Sequence, residues 1–194
     1  FLILNCRSLR CQQPCPPFLT GGHCFIRTAC SGFFFLVLLV SCGADLSSIR
    51  NLDRGKGRCI VVFGDSITAG YGVESDQSFP VLLEPLVEVP VVARGRNGDT
   101  TILARDRIEQ AMADDPWIVL VELGGNDFLK GVAKERTEKE LKGIVTAFQD
   151  GGAIVVLLGM DLGLFTDEYG EIYTRVAQDA GAFLIPSINR GILE

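Results

Sequence analysis

The chain has 194 residues, 47% of them hydrophobic, and a formal net charge of −6. That length supports one compact domain with its own core and excludes two large ones. Residues 1–58 carry seven Arg or Lys against two Asp or Glu, which leaves 11 basic and 22 acidic side chains for the rest, a net of −11 that repels phosphate backbones, so no nucleic-acid partner is expected.

The first 42 residues stand apart in composition. They hold Cys6, Cys11, Cys15, Cys24, Cys30 and Cys42, whereas the remainder holds only Cys59, which reads as a small buried thiol. Arg27 precedes an apolar run from Phe33 to Val40, and Ser41-Cys42-Gly43 follows. A basic flank, a short apolar run and small residues at its end form the pattern of a secretory signal. The run is too short for a transmembrane helix, which needs about twenty residues. Leu39-Val40-Ser41-Cys42 also resembles the lipobox of bacterial lipoproteins, so an ordinary signal peptide and a head lipidated on Cys42 both stand as readings. Either makes the protein exported, periplasmic or membrane-anchored. Residues 1–24 fit neither pattern; they begin with Phe, and the first Met is Met112. Cys11, Cys15, His23 and Cys24 match no common structural zinc spacing, and no metal is expected. Residues 44–57 are polar and read as a tether. The expected division is a head over 1–42, a linker over 43–58 and a domain over 59–194.

From residue 59 the pattern alternates. Short apolar, β-branched runs predict buried strands at 59–63, 90–93, 117–122, 153–158 and 182–185. Helical spacing predicts a helix near 100–113 through Ile108, Ala111 and Met112. A second, near 137–149, follows from Leu141, Ile144, Val145 and Phe148, and a third, near 167–180, from Ile172, Tyr173, Val176 and Ala180. Thr137 and Glu140 have capping-box spacing, and Gly151 and Gly181 sit where helices should stop. Strand and helix in alternation imply parallel pairing with right-handed crossovers. The fold expected is a flavodoxin-like three-layer α/β/α sandwich with about five parallel strands.

In such a sheet, chemistry collects beyond the carboxyl ends of the strands. The first strand runs into Gly64-Asp65-Ser66, the second into Arg94-Gly95-Arg96-Asn97-Gly98-Asp99-Thr100, the third into Gly124-Gly125-Asn126-Asp127. Gly64 permits a tight exit. Ser66 would open a short helix with its hydroxyl toward the crevice and its N–H without a helical partner. Gly98 lets a backbone N–H approach a ligand oxygen, and Asn126 adds an amide donor. Two backbone donors and one amide aimed at one point make an oxyanion hole. Each turn alone has a plainer reading, as a turn or a cap; three at successive strand ends point to nucleophilic acyl transfer.

Phe63-Gly64-Asp65-Ser66-Ile67-Thr68-Ala69-Gly70-Tyr71-Gly72, Asn97-Gly98-Asp99-Thr100 and Val121-Glu122-Leu123-Gly124-Gly125-Asn126-Asp127 resemble, in order, three blocks of the SGNH (GDSL) hydrolase superfamily. The likeness is to its arylesterase, acyl-CoA thioesterase I and lysophospholipase L1 group, and runs from about residue 59 onward. It implies an ester or thioester hydrolase with Ser66 as nucleophile, an oxyanion hole of Ser66 N–H, Gly98 N–H and Asn126, and no metal or organic cofactor. It implies a small acyl-ester or thioester substrate. Asp65 is expected to support the turn. The motif is not the Gly-x-Ser-x-Gly elbow of α/β-hydrolases. The superfamily's last block, Asp-x-x-His, supplies the orienting acid and the base. It does not occur before Glu194, and the single histidine, His23, precedes the cleavage site and is not a suitable substitute.

A carboxyl-truncated hydrolase is therefore expected, weak or inactive as it stands. It would lack its last helix, leaving one sheet face less covered and stability low. The alternative is a catalytically impaired acyl- or carbohydrate-binding module of the same fold. A phosphate or nucleotide binder ranks last, for want of the glycine-rich signatures. Glu122 is expected to pair with Arg94 or Arg105. Tyr71, Phe79, Phe128, Met160 and Phe165 either line an acyl pocket or pack, and Trp117 reads as a strand-start packing residue.

Overall fold

The computed structural model describes residues 46–53, 55–160 and 168–188. Cys42, His23, Phe165 and the signal-like head lie outside the described residues. Five strands form one parallel sheet: β1 (Cys59–Gly64), β2 (Val91–Gly95), β3 (Pro116–Glu122), β4 (Ile154–Leu158) and β5 (Phe183–Ile185). The spatial order is β2-β1-β3-β4-β5, the flavodoxin-like arrangement expected. β1 is buried along its whole length between β2 and β3. A run of Ile, Val and Phe suits that place, because a central parallel strand meets packing on both faces. Strand boundaries agree with the sequence expectation to within two residues.

Helices fill the crossovers. α1 (Ser66–Ala69) and α2 (Phe79–Leu83) follow β1, α3 (Thr101–Arg105) and α4 (Ile108–Met112) follow β2, α5 (Gly125–Leu129) and α6 (Lys134–Asp150) follow β3, and α7 (Glu168–Ala180) follows β4. Alternate strand residues Val61, Phe63, Val119, Val121, Val155 and Leu157 are fully buried in one cluster with Leu141, Ile144, Val145 and Phe148 of α6 and Ile172, Tyr173 and Val176 of α7. Those helical residues are the ones picked out by periodicity, so the two long helices present the expected faces. α1 and α2 pack beside β1 and β2. On the sheet positions that alternate with the main cluster, Ile60 and Val62 are buried, while Ile118, Leu120, Val156 and Phe183 are half-buried.

Three local expectations change. The helix expected over 100–113 is two helices, broken where Asp106 ends α3 and Arg107 begins α4. The break turns the Arg107 side chain inward, where its guanidinium meets three polar partners described below. The capping box at Thr137 and Glu140 does not form, because α6 starts a turn earlier, after Ala133, with no side-chain cap. Thr137 instead lies inside the helix, and Glu140 is buried and paired with Arg105 and Arg136, each at 2.9 Å. Finally, the polar stretch before β1 is docked. Arg50 N–H donates to Gly181 O (2.9 Å), and the Asn51 amide donates to Gln149 O (2.7 Å) and Ala153 O (2.9 Å). These carbonyls lie at or just beyond the C-terminal ends of α6 and α7.

Candidate active site

The carboxyl ends of β1, β2 and β3 are adjacent by strand order, so their loops meet at one edge. Each loop repeats one arrangement: a half-buried residue beside a buried aspartate. The pairs are Ser66 with Asp65, Gly98 with Asp99, and Asn126 with Asp127. The aspartates are 2%, 2% and 0% exposed, so each must be satisfied from within.

Asp65 accepts from Ile67 N–H (3.1 Å) as the cap of α1, from the Ser66 hydroxyl (3.3 Å), and from the Asn126 amide (2.8 Å). One carboxylate thus supports the turn, as expected, and also joins the first loop to the third. Burial raises its pKa, and the donors from Ile67, Ser66 and Asn126 oppose that rise. The Asn126 amide carries two hydrogens, so one bond to Asp65 fixes its direction and leaves the other to give.

Asp99 receives Arg96 Nε (2.7 Å) and Arg107 Nε (2.7 Å). Arg107 also donates to Arg94 O (2.9 Å) and Gly64 O (3.1 Å), and its guanidinium lies 4.7 Å from the centre of the Phe63 ring. A single planar fork therefore ties the ends of β1 and β2 to the residue that follows Gly98. Gly98 has a φ of +76°, and its carbonyl accepts from Lys130 Nζ at 2.5 Å.

Asp127 receives Thr101 N–H (2.8 Å), the Thr101 hydroxyl (2.5 Å) and the Thr137 hydroxyl (3.4 Å), joining α3 and α6 to the Asn126 loop. Two phenols, one buried and one half-buried, secure the same loop: Tyr173 donates to Leu123 O (2.9 Å) and Tyr169 to Gly124 O (3.1 Å). Burial holds the Tyr173 pKa well above its ordinary value, so it stays a donor. Replacing Asp127 by alanine strands the Thr101 N–H and hydroxyl in a dry site. A loss of about 2–3 kcal/mol is expected, read as a fall in Tm of roughly 5–10 °C; an unchanged Tm would show that the anchor is dispensable.

Glu122 does not pair with an arginine. Arg94 bonds Asp114 through two nitrogens (2.7 and 2.6 Å), and Arg105 bonds Glu140. The register explains the difference: Glu122 lies beside Gly64, so its side chain points under the first loop. Its Oε2 accepts from Asp65 N–H (3.3 Å), Thr68 N–H (3.2 Å) and the Thr68 hydroxyl (2.9 Å). This also gives Gly64 a second purpose. A Cβ there would lie 2.6 Å from Glu122 Oε2 and on top of the Thr68 hydroxyl, so only glycine admits the acid.

The apolar candidates separate. Tyr71 is exposed, Phe79 is half-buried, Phe128 is half-buried and packs edge-on against Tyr169 at 5.5 Å, and Met160 is buried. Trp117, near the start of β3, is 37% exposed. Among the described residues no cluster of His, Cys, Asp and Glu could hold a metal ion.

The chain as a whole has known relatives. Residues 62–190 match the model of the GDSL-like lipase/acylhydrolase family. The chain belongs to that family. Its membership carries an ester-hydrolase function. The GDSL chain is 28% identical to esterase TesA of Pseudomonas aeruginosa over 167 residues, covering 80% of this chain and 82% of that one. It is 28% identical to thioesterase 1/protease 1/lysophospholipase L1 of Escherichia coli over 162 residues, 79% of this chain and 73% of that one. Among solved structures it resembles AlinE4, an SGNH-hydrolase family esterase, with a TM-score of 0.64 and 32% identity over 72% of this chain and 84% of that one. In this GDSL domain, sequence reasoning missed the roles of Arg107, Asp127 and Thr68. The one available signal was an aspartate beside every candidate site residue.

Proposed function

We propose that the protein hydrolyses carboxylic esters or thioesters through an acyl-enzyme on Ser66. Ser66 Oγ attacks the acyl carbon, and the bond to the alcohol or thiol breaks after a tetrahedral intermediate. Water then releases the acid. Ser66 N–H, Gly98 N–H and the free Asn126 amide hydrogen stabilise the oxyanion. The observation that supports this best is the Asp65 bridge, which holds the Ser66 hydroxyl and the Asn126 amide on the two oxygens of one carboxylate. Asp65 is the only described residue that hydrogen-bonds the Ser66 hydroxyl. The resemblance assigns the general base to an Asp-x-x-His block beyond β5. Among the relatives, the names esterase and thioesterase favour acyl esters and thioesters as the substrate class here.

We also infer export, on the sequence pattern around Phe33–Val40, with Cys42 as the place for a lipid anchor. One probe addresses both proposals. A fluorophosphonate is expected to label Ser66, and the labelled protein is expected in the periplasmic or membrane fraction. Label on another residue rejects the nucleophile, and label confined to the cytosol rejects export.

A further inference from the structure

We infer that Glu122 is a positioning residue for the nucleophile: its Oε2 grips the backbone on both sides of Ser66 and so fixes where the Ser66 hydroxyl and N–H point. The inference rests on the assignment of Ser66 as nucleophile.

The grip is visible in the partners. Asp65 N–H precedes Ser66 by one residue and Thr68 N–H follows it by two, and both donate to the same oxygen, with the Thr68 hydroxyl as a third donor. The turn between them contains Ser66. A strand residue, paired with Gly64 of β1 and fully buried, therefore holds the loop together with Asp65 and the short α1. Strands are the more rigid support for a reacting group.

The acid is retained at a cost that packing does not explain. Glu122 is 0% exposed, and its Oε1 has no hydrogen-bond partner among the described residues. Burying a carboxyl with one oxygen unsatisfied destabilises a fold. Gly64 is needed to admit it. A site that accepts both penalties is one in which the acceptor at Oε2 serves the loop.

Glutamine keeps an acceptor oxygen at that point, whereas alanine removes it. Glu122→Ala is expected to lower kcat for a p-nitrophenyl ester about 10- to 100-fold, with KM within about threefold, because a small misplacement of a reacting group costs rate rather than binding. Glu122→Gln is expected to restore most of kcat. The rate of Ser66 phosphonylation, followed by mass spectrometry, should fall and recover in step. Should Glu122→Ala fail to fold, Thr68→Val removes one donor to the same oxygen and is expected to lower kcat with KM unchanged. Wild-type kcat in Glu122→Ala or in Thr68→Val overturns the inference, as does a glutamine variant as slow as the alanine one, or a loss confined to KM. Ser66→Ala separates the two questions. Full activity there rejects the nucleophile itself, while loss of activity there with wild-type kcat in Glu122→Ala rejects only the positioning role.

Discussion

Ser66→Ala is expected to reduce kcat for ester hydrolysis by roughly 10³- to 10⁶-fold while the protein stays folded, because the acyl-enzyme route closes and only binding and oxyanion stabilisation remain. The side chain is half-buried, and its only hydrogen bond among the described residues runs to Asp65, so its loss removes little packing. A thermal melt close to that of the wild type is the accompanying expectation. Asn126→Ala should be milder, about 10²- to 10³-fold in kcat, as for loss of one oxyanion donor. The order of the two effects carries information. A larger loss at Asn126 than at Ser66 would mean that the amide acts through Asp65 and the turn. Comparable activity in Ser66→Ala and the wild type would end the serine-hydrolase assignment.

The second large effect is on stability against pH. Burial, and then the neighbouring Asp65 carboxylate, push the Glu122 pKa up from 4.5 to about 8. In the unfolded chain the group ionises near its ordinary value. Between those two points the native state holds a proton that the unfolded state has released, so stability falls as pH rises. The contribution is fully present below the unfolded pKa and is lost by about pH 8. The slope is on the order of 1 kcal/mol per pH unit. Asp65, raised in the same direction by burial, adds in the same sense. Glu122→Gln cannot ionise. Denaturant unfolding at a series of pH values should therefore show the wild type losing stability relative to this variant across that window. Parallel curves for the two proteins would show that Glu122 ionises as freely in the folded state as in the unfolded one.

Most of the fold was legible in the sequence, for a local reason. Val61, Phe63, Val119, Val121 and Val155 are β-branched or aromatic residues in short runs, and such runs have few alternatives to a buried strand. The faces of α6 and α7 followed from spacing alone, because a 3.6-residue period needs no knowledge of the partner. Ser66, Gly98 and Asn126 could be named as candidates because each follows directly on a strand whose end was predictable. Where the candidate site residues stand along the chain, and which family the chain belongs to, were thus in the order of the amino acids.

What holds the site together was not. Glu122 is 57 residues from Asp65, Asp127 is 26 from Thr101, and Arg107 is 43 from Gly64. A buried acid can pair with any donor that the folded chain brings near it, and sequence offered arginines for Glu122 where register supplied two N–H groups and a hydroxyl. The same holds for Thr137 and Glu140, whose spacing matched a cap until Arg105, Arg136 and Asp127 took them as partners. Periodicity and strand ends are properties of neighbours along the chain. The satisfaction of a buried polar group is a property of neighbours in space, and only strand order and register decide who those are.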